Sequence, residues 1–421
     1  MDERLPGTAP TGREQTVCHI DMDCFYAACE RLKEPALDGE PLVVGMGFEA
    51  GESHGAVATA SYEAREFGIE SAMAISQALD RLPRKIDAAS DDDLDPSEAA
   101  FYRPVDMEFY ESVAADVKEI LHDTADTVRE VSIDEAYLDV TDTVEWDDIE
   151  TFGRDLKTRI SNEVGVDASI GVAPTMSAAK IASDHDKPDG LVIVEPGEVQ
   201  AFLAPLDVEE VHNVGPVTAR ELRAMGIDTA GDLAVADPDQ ITETFGERGR
   251  EIWQYARGED AREVEPVGKP KSLSRESAFT DSTDDAERKR ERVRALAGDV
   301  ADRAARKGAL YQTIGIKVVT PPFDIHTRAD SLPGPIEQPD LVEDVALDLL
   351  SEFKEETVRK VGVRVSNLEF ADNEQASLDG FESQSANPGK NQSLTDFIGG
   401  RTNTAGSDAE PSGQCTLDDF E

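Results

Sequence analysis

Acidic residues stand at two places where short, β-prone runs stop. Val17-Cys18-His19-Ile20 runs into Asp21-Met22-Asp23, and the runs Thr127 to Ile133 and Ala136 to Val140 are separated only by Asp134-Glu135. A carboxylate at a strand end is by itself an ordinary turn former or helix cap. The combination is more telling, because two-metal phosphoryl transfer needs carboxylates from neighbouring strands converging on two ions about 4 Å apart. Magnesium takes hard oxygen donors and keeps waters, so two or three carboxylates plus substrate phosphates suffice. Asp23 is read as turned away from Asp21 and is left out of the set. Asp21, Asp134 and Glu135 are therefore the candidate ligands.

The elements that must position these acids are legible around them. Residues 1–16 read as a loose polar leader. Val17 to Ile20 predicts a strand, Phe25 to Lys33 a helix, Pro41 to Gly45 a second strand, and Ser61 an N-cap for the helical Tyr62-Glu63-Ala64-Arg65. Apolar spacing predicts a helix over 105–123. The two runs flanking Asp134-Glu135 predict a hairpin with the acids at its tip. A helix over 149–164, a strand over 168–172 and a helix from Ser177 into Ser183 follow. Strands and helices alternate without a strict βαβ rhythm, which predicts an α+β sheet with helices on one face. From about residue 188 short helices punctuated by Gly and Pro take over, and 258–270 reads as a charged tether. Strands over 312–319 and 362–370 with helices near 283–306 and 338–354 predict a second α+β unit. Residues 372–421, rich in Ser, Gly, Asn, Gln and Asp, predict disorder.

Four blocks, in order and spacing, resemble the Y-family DNA polymerases, most closely the DNA polymerase IV branch of bacteria and archaea. They are Asp21-Met22-Asp23-Cys24-Phe25-Tyr26-Ala27, Ala58 to Arg65, Ser132 to Asp139, and Ala179-Lys180-Ile181-Ala182-Ser183. The similarity spans about residues 17–370. It implies a right-hand polymerase with palm and fingers over 17–187 (fingers about 25–95), a thumb over 188–257, a linker over 258–270 and a little finger over 271–371. It also implies a low-fidelity, translesion enzyme that extends a primer on template DNA from deoxynucleoside triphosphates, without proofreading. Two Mg²⁺ are implied, with Asp21 and Asp134 bridging both, Glu135 on the ion that activates the primer hydroxyl, and the Met22 carbonyl completing the nucleotide-side ion. Tyr26 looks like the steric gate against ribonucleotides, with Phe25 beneath the sugar. Thr59, Tyr62, Arg65 and Lys180 look like the triphosphate clamp: two hydroxyls, a forked guanidinium and a point charge suit three phosphates. The small residues Ala56, Ala58, Ala72 and Ala74 would leave an open pocket over the templating base.

Further along, Val211 to Leu222 has the form of a helix-hairpin-helix, which aims backbone N–H groups at DNA phosphate without regard to sequence. Asn213 replaces its usual first glycine and tolerates the left-handed backbone the turn needs, and Gly215 follows. Lys271 and Arg275, with Lys269, open the little finger and are expected to meet phosphates, with positive charge collecting on that face. At the C-terminus Gln414, Leu417 and Phe420 fit the pattern of a sliding-clamp ligand, with Leu417 and Phe420 on one face of a helical turn. Glu421 stands where a second aromatic is usual, and residues 391–398 form a degenerate second copy.

Charge alone would argue against a nucleic-acid partner, since 89 Asp and Glu oppose 41 Lys and Arg for a net charge of −48. The acids are spread over every segment, however, as in proteins adapted to molar salt. There the Debye length falls to about 3 Å and only close contacts count. No apolar run approaches the roughly 18 residues of a membrane span, and no signal peptide is visible. A cytoplasmic monomer is expected. The four cysteines form no CxxC pair and read as reduced thiols. Two rival readings stand against the polymerase: a template-independent palm-fold enzyme such as a nucleotide cyclase, and a non-catalytic scaffold binding DNA and clamp.

Overall fold

The structure is a computed structural model, which describes residues 15–48, 55–90 and 95–370. It comprises two units, Met1–Gly268 and Lys269–Glu421.

In the first unit the elements run β1 (Val17–Met22), α1 (Phe25–Lys33), β2 (Leu42–Gly45), β3 (Val57–Ala60), α2 (Tyr62–Arg65), α3 (Ile75–Arg81), α4 (Lys85–Ala88) and β4 (Phe101–Pro104). They continue through α5 (Met107–Thr124), β5 (Thr127–Glu130), β6 (Glu135–Asp139), α6 (Ile149–Glu163), β7 (Ala168–Ala173), α7 (Met176–His185) and β8 (Leu191–Ile193). The short helices α8 (Val199–Leu203), α9 (Pro216–Ala224), α10 (Ala230–Val235), α11 (Pro238–Phe245) and α12 (Glu247–Ala256) close the unit.

Strand β1 is buried along its whole length because it is the central strand of a five-stranded sheet ordered β5-β6-β1-β7-β8. Both of its neighbours, β6 and β7, are antiparallel to it. The period-2 alternation of β7 sends Ile170 and Val172 into one core with Tyr110 and Val117 of α5 and Leu156 and Ile160 of α6. Gly171, between them, faces α7: a Cβ there would lie 2.1 Å from the Ala179 carbonyl oxygen and 2.2 Å from the Ser183 nitrogen. Helices therefore cover both faces of the sheet, correcting the one-face expectation. The reason is the small residue at 171, which lets α7 lie directly on β7.

A three-stranded sheet ordered β3-β2-β4 carries the segment between α1 and α5. Its own core gathers Val43, Val57, Ile69, Ile75 and Leu82. Ser61 caps α2 as its position predicts, its side chain accepting from the Ala64 N–H.

After α8, the Asn213 backbone takes a φ of 68°, the left-handed conformation expected of it, and Gly215 caps α9 with Pro216 at its first position. The start of the expected tether is not free. The Asp260 carboxylate accepts the Ser177 N–H at 3.0 Å at the start of α7, and Val264 is buried in a cluster with Leu222, Ile252 and Tyr255. An apolar-poor composition hid these two anchors.

The second unit is a four-stranded sheet ordered β11-β10-β12-β9, from β9 (Ser272–Thr283), β10 (Ala309–Thr320), β11 (Asp324–Ile336) and β12 (Val358–Phe370). Its helices are α13 (Ala286–Arg306) and α14 (Pro339–Leu350). Val361, Val363, Ile314, Ile316 and Val318 pack with Val293, Leu296 and Val300 of α13 and Val342 and Ala346 of α14. Among the described residues no helix is long and apolar enough to cross a membrane.

Two consequences can be measured. Gly171→Ala drives a methyl group into the backbone of α7. Overpacking at this contact is expected to lower unfolding free energy by about 1–3 kcal/mol, read from a urea midpoint. His212 lies against the Tyr255 ring, and burial, then the Arg262 charge, push its pKa down to about 4, with Asp260 opposing. Unfolded, it ionises near 6.5. Between those values the unfolded chain binds more protons, so His212 removes stability as pH falls from 6.5 towards 4, by up to about 1.4 kcal/mol per pH unit. His212→Gln is expected to flatten that part of the profile of urea midpoint against pH.

Candidate active site

Register brings the acids together. On β1, Asp21 lies directly opposite Glu135 of β6, and the Met22 N–H donates to the Asp134 carbonyl at 3.0 Å. The β5–β6 connection is longer than a two-residue tip. Strand β5 ends at Glu130 and Glu135 is already the first residue of β6, so residues 131–134 form the loop. Ser132 organises it: its Oγ donates to Asp134 Oδ1 at 2.6 Å and accepts from the Glu135 N–H at 3.0 Å.

Two ammonium groups face this cluster. Lys180, brought by α7, places Nζ 2.9 Å from Asp21 Oδ2, 2.5 Å from Glu135 Oε1 and 3.3 Å from Asp184 Oδ2. Lys187 places Nζ 2.6 Å from Asp21 Oδ1 and 2.9 Å from Asp184 Oδ1. Burial would raise the Asp21 carboxyl, yet Lys180 and Lys187 hold it well below the usual carboxylate range. Burial raises both Asp134 and Glu135, and the Asp21 charge adds to each. Lys180 is held well above the ordinary lysine value by Asp21, Glu135 and Asp184, against the effect of its burial. Among the described residues no three His, Cys, Asp or Glu side chains are gathered into a ready-made ion cage. Lys180 and Lys187 pair with carboxylate oxygens of this cluster. The donor set is nonetheless all hard oxygen, on adjacent strands, with net negative charge left over, and it fits magnesium.

Asp23 points elsewhere, and not through strand alternation, which would put residues 21 and 23 on one face: β1 ends at Met22 and the chain turns through Cys24, whose φ is 45°. It accepts from Ser169 Oγ at 3.0 Å, from the Tyr62 hydroxyl at 3.1 Å and from the Asp189 N–H at 2.8 Å. The Tyr62 hydroxyl, expected at the triphosphate, is thus a donor to Asp23. Beneath the acids, Phe25 and Tyr26 are buried at the start of α1, and Tyr26 stacks on Tyr110 with ring centroids 4.6 Å apart. Tyr110 in turn donates to Glu30 at 2.7 Å. Thr59 sits half-buried on β3 opposite Val44. Arg65 is exposed, its Nε donating to the Ala60 carbonyl at 3.0 Å and its guanidinium lying over the Tyr62 ring. Ala56 and Ala74 form a bridge, and the Ala72 N–H donates to Val57. The small residues thus line the edge of β3.

Among the short helices after β8, Arg248 of α12 donates to the Asn213 carbonyl at 2.8 Å, holding the turn before Gly215. In the second unit Lys271 is exposed and Arg275 pairs with Asp299 at 3.1 Å. Lys317 and Lys360 both bind Glu276. The positive charge expected on this unit is therefore partly neutralised within it. Gln414, Leu417 and Phe420, and the second copy at 391–398, lie outside the described residues.

Sequence reasoning does not reach Lys187, Asp184, Ser132 or Tyr110. A Lys-Pro-Asp-Gly stretch after a helix reads as a turn, and nothing local says that its lysine folds back onto β1. Ser132 carries the one usable signal, a serine two residues before an acid, the spacing of a side-chain turn.

Comparison with known proteins agrees with the geometry. Residues 20–184 match the impB/mucB/samB family, 270–378 its C-terminal domain, and 196–227 the IMS family HHH motif. A DNA polymerase IV of Halobacterium salinarum is 60% identical over 418 residues, covering 99% of each chain. A DNA polymerase IV of Methanoculleus marisnigri is 38% identical over 372 residues, covering 88% of this chain and 99% of that one. Among solved structures, a Y-family DNA polymerase chimera, Dbh-Dpo4(243-245)-Dbh, superposes with a TM-score of 0.72 at 28% identity, covering 85% of this chain and 100% of that one. An insertion ternary complex of Dbh DNA polymerase superposes with a TM-score of 0.60 at 27% identity and the same coverage. With the acids of β1 and β6 converging and full-length similarity on this scale, the chain belongs to the Y-family DNA polymerases, in the DNA polymerase IV group.

Proposed function

We propose that the DNA-directed DNA polymerase activity of this chain, that of a low-fidelity translesion enzyme, runs by two-metal phosphoryl transfer at Asp21, Asp134 and Glu135. The observation that carries it is the register pair Asp21–Glu135, with Asp134 hydrogen-bonded through its backbone to Met22. Two magnesium ions would supply charge neutralisation at the α-phosphate and hold the attacking and leaving oxygens in line. Asp21 and Asp134 would hold both ions, Glu135 the one on the primer side, and the Met22 carbonyl the one on the nucleotide side.

The remaining roles follow from chemistry and position. Lys180 pairs with Asp21 and Glu135, and a triphosphate would offer the same ammonium a more highly charged anion. Arg65, exposed and steadied by the Tyr62 ring, supplies a forked donor, with Thr59 beside it. Tyr26 is the steric gate, its ring backed by Tyr110 and so unable to retreat from a 2′-hydroxyl. Asn213 and Gly215 offer backbone N–H groups to the duplex, and Lys271 and Arg275 offer charge. The C-terminal Gln414, Leu417 and Phe420 bind a sliding clamp. We read the enzyme as a cytoplasmic monomer working in molar salt, where a net charge of −48 does not forbid DNA binding.

Primer extension on a templated duplex with Mg²⁺ in molar KCl is the test. Asp134→Ala is expected to lower kcat by at least about a hundredfold. It should not lower the thermal midpoint, because Asp134 is a carboxyl whose charged form is disfavoured by burial. Extension by this variant at the unmodified rate would refute the site.

A further inference from the structure

The face of the second unit's sheet that points away from its helices departs from the charge of the chain. Val361, Val363 and Val365 of β12 and Ile314, Ile316 and Val318 of β10 pack towards α13 and α14, so alternation turns Lys360, Gly362, Arg364 and Lys317 to the other side. Over the register from the pair Ser272 and Ser366 to the pair Ala278 and Lys360, that open face carries Lys317, Lys360 and Arg364 against one acid, Glu276. In a chain whose acids outnumber its bases 89 to 41, an excess of cations on one face is the footprint of a polyanion.

The acid is held in the midst of the cations by a gap in the sheet. Lys317, Gly362 and Glu276 stand side by side on the neighbouring strands β10, β12 and β9. With no side chain on Gly362, that of Glu276 lies across β12: a Cβ on Gly362 would sit 2.7 Å from Glu276 Cγ. Glu276 Oε1 thereby reaches Lys317 Nζ at 2.9 Å, and Oε2 pairs with Lys360. Burial would raise the Glu276 carboxyl, yet Lys360 and Lys317 hold it below the usual range. Its side chain is 14% exposed, against 36% for Lys317 and 26% for Lys360. The carboxylate is walled in at the base of the face, and the two ammonium groups are its more exposed partners.

We propose that Glu276 is a built-in competitor for DNA phosphate: it takes up Lys317 and Lys360 on the open face, so that a phosphate bound there must displace an internal ion pair. This rests on the reading that the second unit meets duplex phosphates. The consequence is a weak, readily exchanged grip, which suits a chain that has to step along the duplex after each addition.

The test is a fluorescence anisotropy titration of a labelled primer–template duplex with the full chain, repeated over a range of KCl concentrations. Glu276→Gln keeps the size of the side chain and removes its charge. It is expected to steepen the slope of log Kd against log[KCl] by about one, and so to bind more tightly the lower the salt. Glu276→Asp keeps the charge and should keep the slope of the unmodified chain; an equal steepening there would assign the effect to packing and overturn the proposal. Arg364→Gln separates the proposal from the reading beneath it, and is expected to flatten the slope by about one. If it leaves affinity and slope unchanged, the open face does not meet DNA and both readings fail. If it flattens the slope while Glu276→Gln leaves it unmoved, the competitor role fails alone. Should Glu276→Gln not fold, as read from a urea midpoint, the double variant Glu276→Gln/Lys317→Gln removes the pair together. Its slope should match that of the unmodified chain, and a flatter one would overturn the proposal.

Discussion

Mutual repulsion among closely placed carboxylates is the constraint around which the first unit is organised. Asp21 and Glu135 face each other across β1 and β6, and Asp134 lies one residue away in the loop. Such a cluster is unfavourable on burial unless positive charge answers it. Lys180 and Lys187 answer part of it, and the proposed function assigns the part left over to divalent cations. Without the two lysines the buried cluster would oppose folding.

The fold supplies those two lysines by different means. Helix α7 can deliver Lys180 because Gly171 lets the helix lie on β7 without a side chain in between. The turn after α7 can deliver Lys187 because Asp23 and Ser169 bind its backbone N–H groups. Asp23 also accepts the Tyr62 hydroxyl, so α2 is tied to the same residue. One buried acid therefore links the strand that carries Asp21, the turn that carries Lys187 and the short helix that carries Arg65. Its near neighbour Asp21 is the proposed cation ligand while Asp23 holds the turn, and the end of β1 at Met22, followed by the turn at Cys24, is what separates the two.

Much of this is legible in the sequence where local rules dominate. The acid at the end of an apolar run, the N-cap at Ser61 and the left-handed Asn213 each depend on a few adjacent residues. The hairpin around Asp134 is harder: β-prone composition extends through Ile133, but the strand ends at Glu130 because Ser132 folds the loop back on itself. Strand β11 gives no clear signal, since Pro333 and Pro335 argue against a strand. It is tolerated as the edge of its sheet, where one side needs no hydrogen-bond partner. The Asp260 contact with α7 and the Lys187 contact with Asp21 are long-range, and no local pattern encodes them. Lys289 is a comparable case in the second unit, a lysine in a basic helical run whose ammonium is buried and satisfied by the Phe353, Lys354 and Glu356 carbonyls.

Crystals grown with an unreactive deoxynucleotide analogue and soaked in manganese would test the central claim most directly, through the anomalous signal of the ion. Two peaks are predicted, with Asp21 and Asp134 oxygens shared between them and Glu135 on one alone. Ions bound elsewhere, or carboxylates that stay too far apart to share them, would contradict the account.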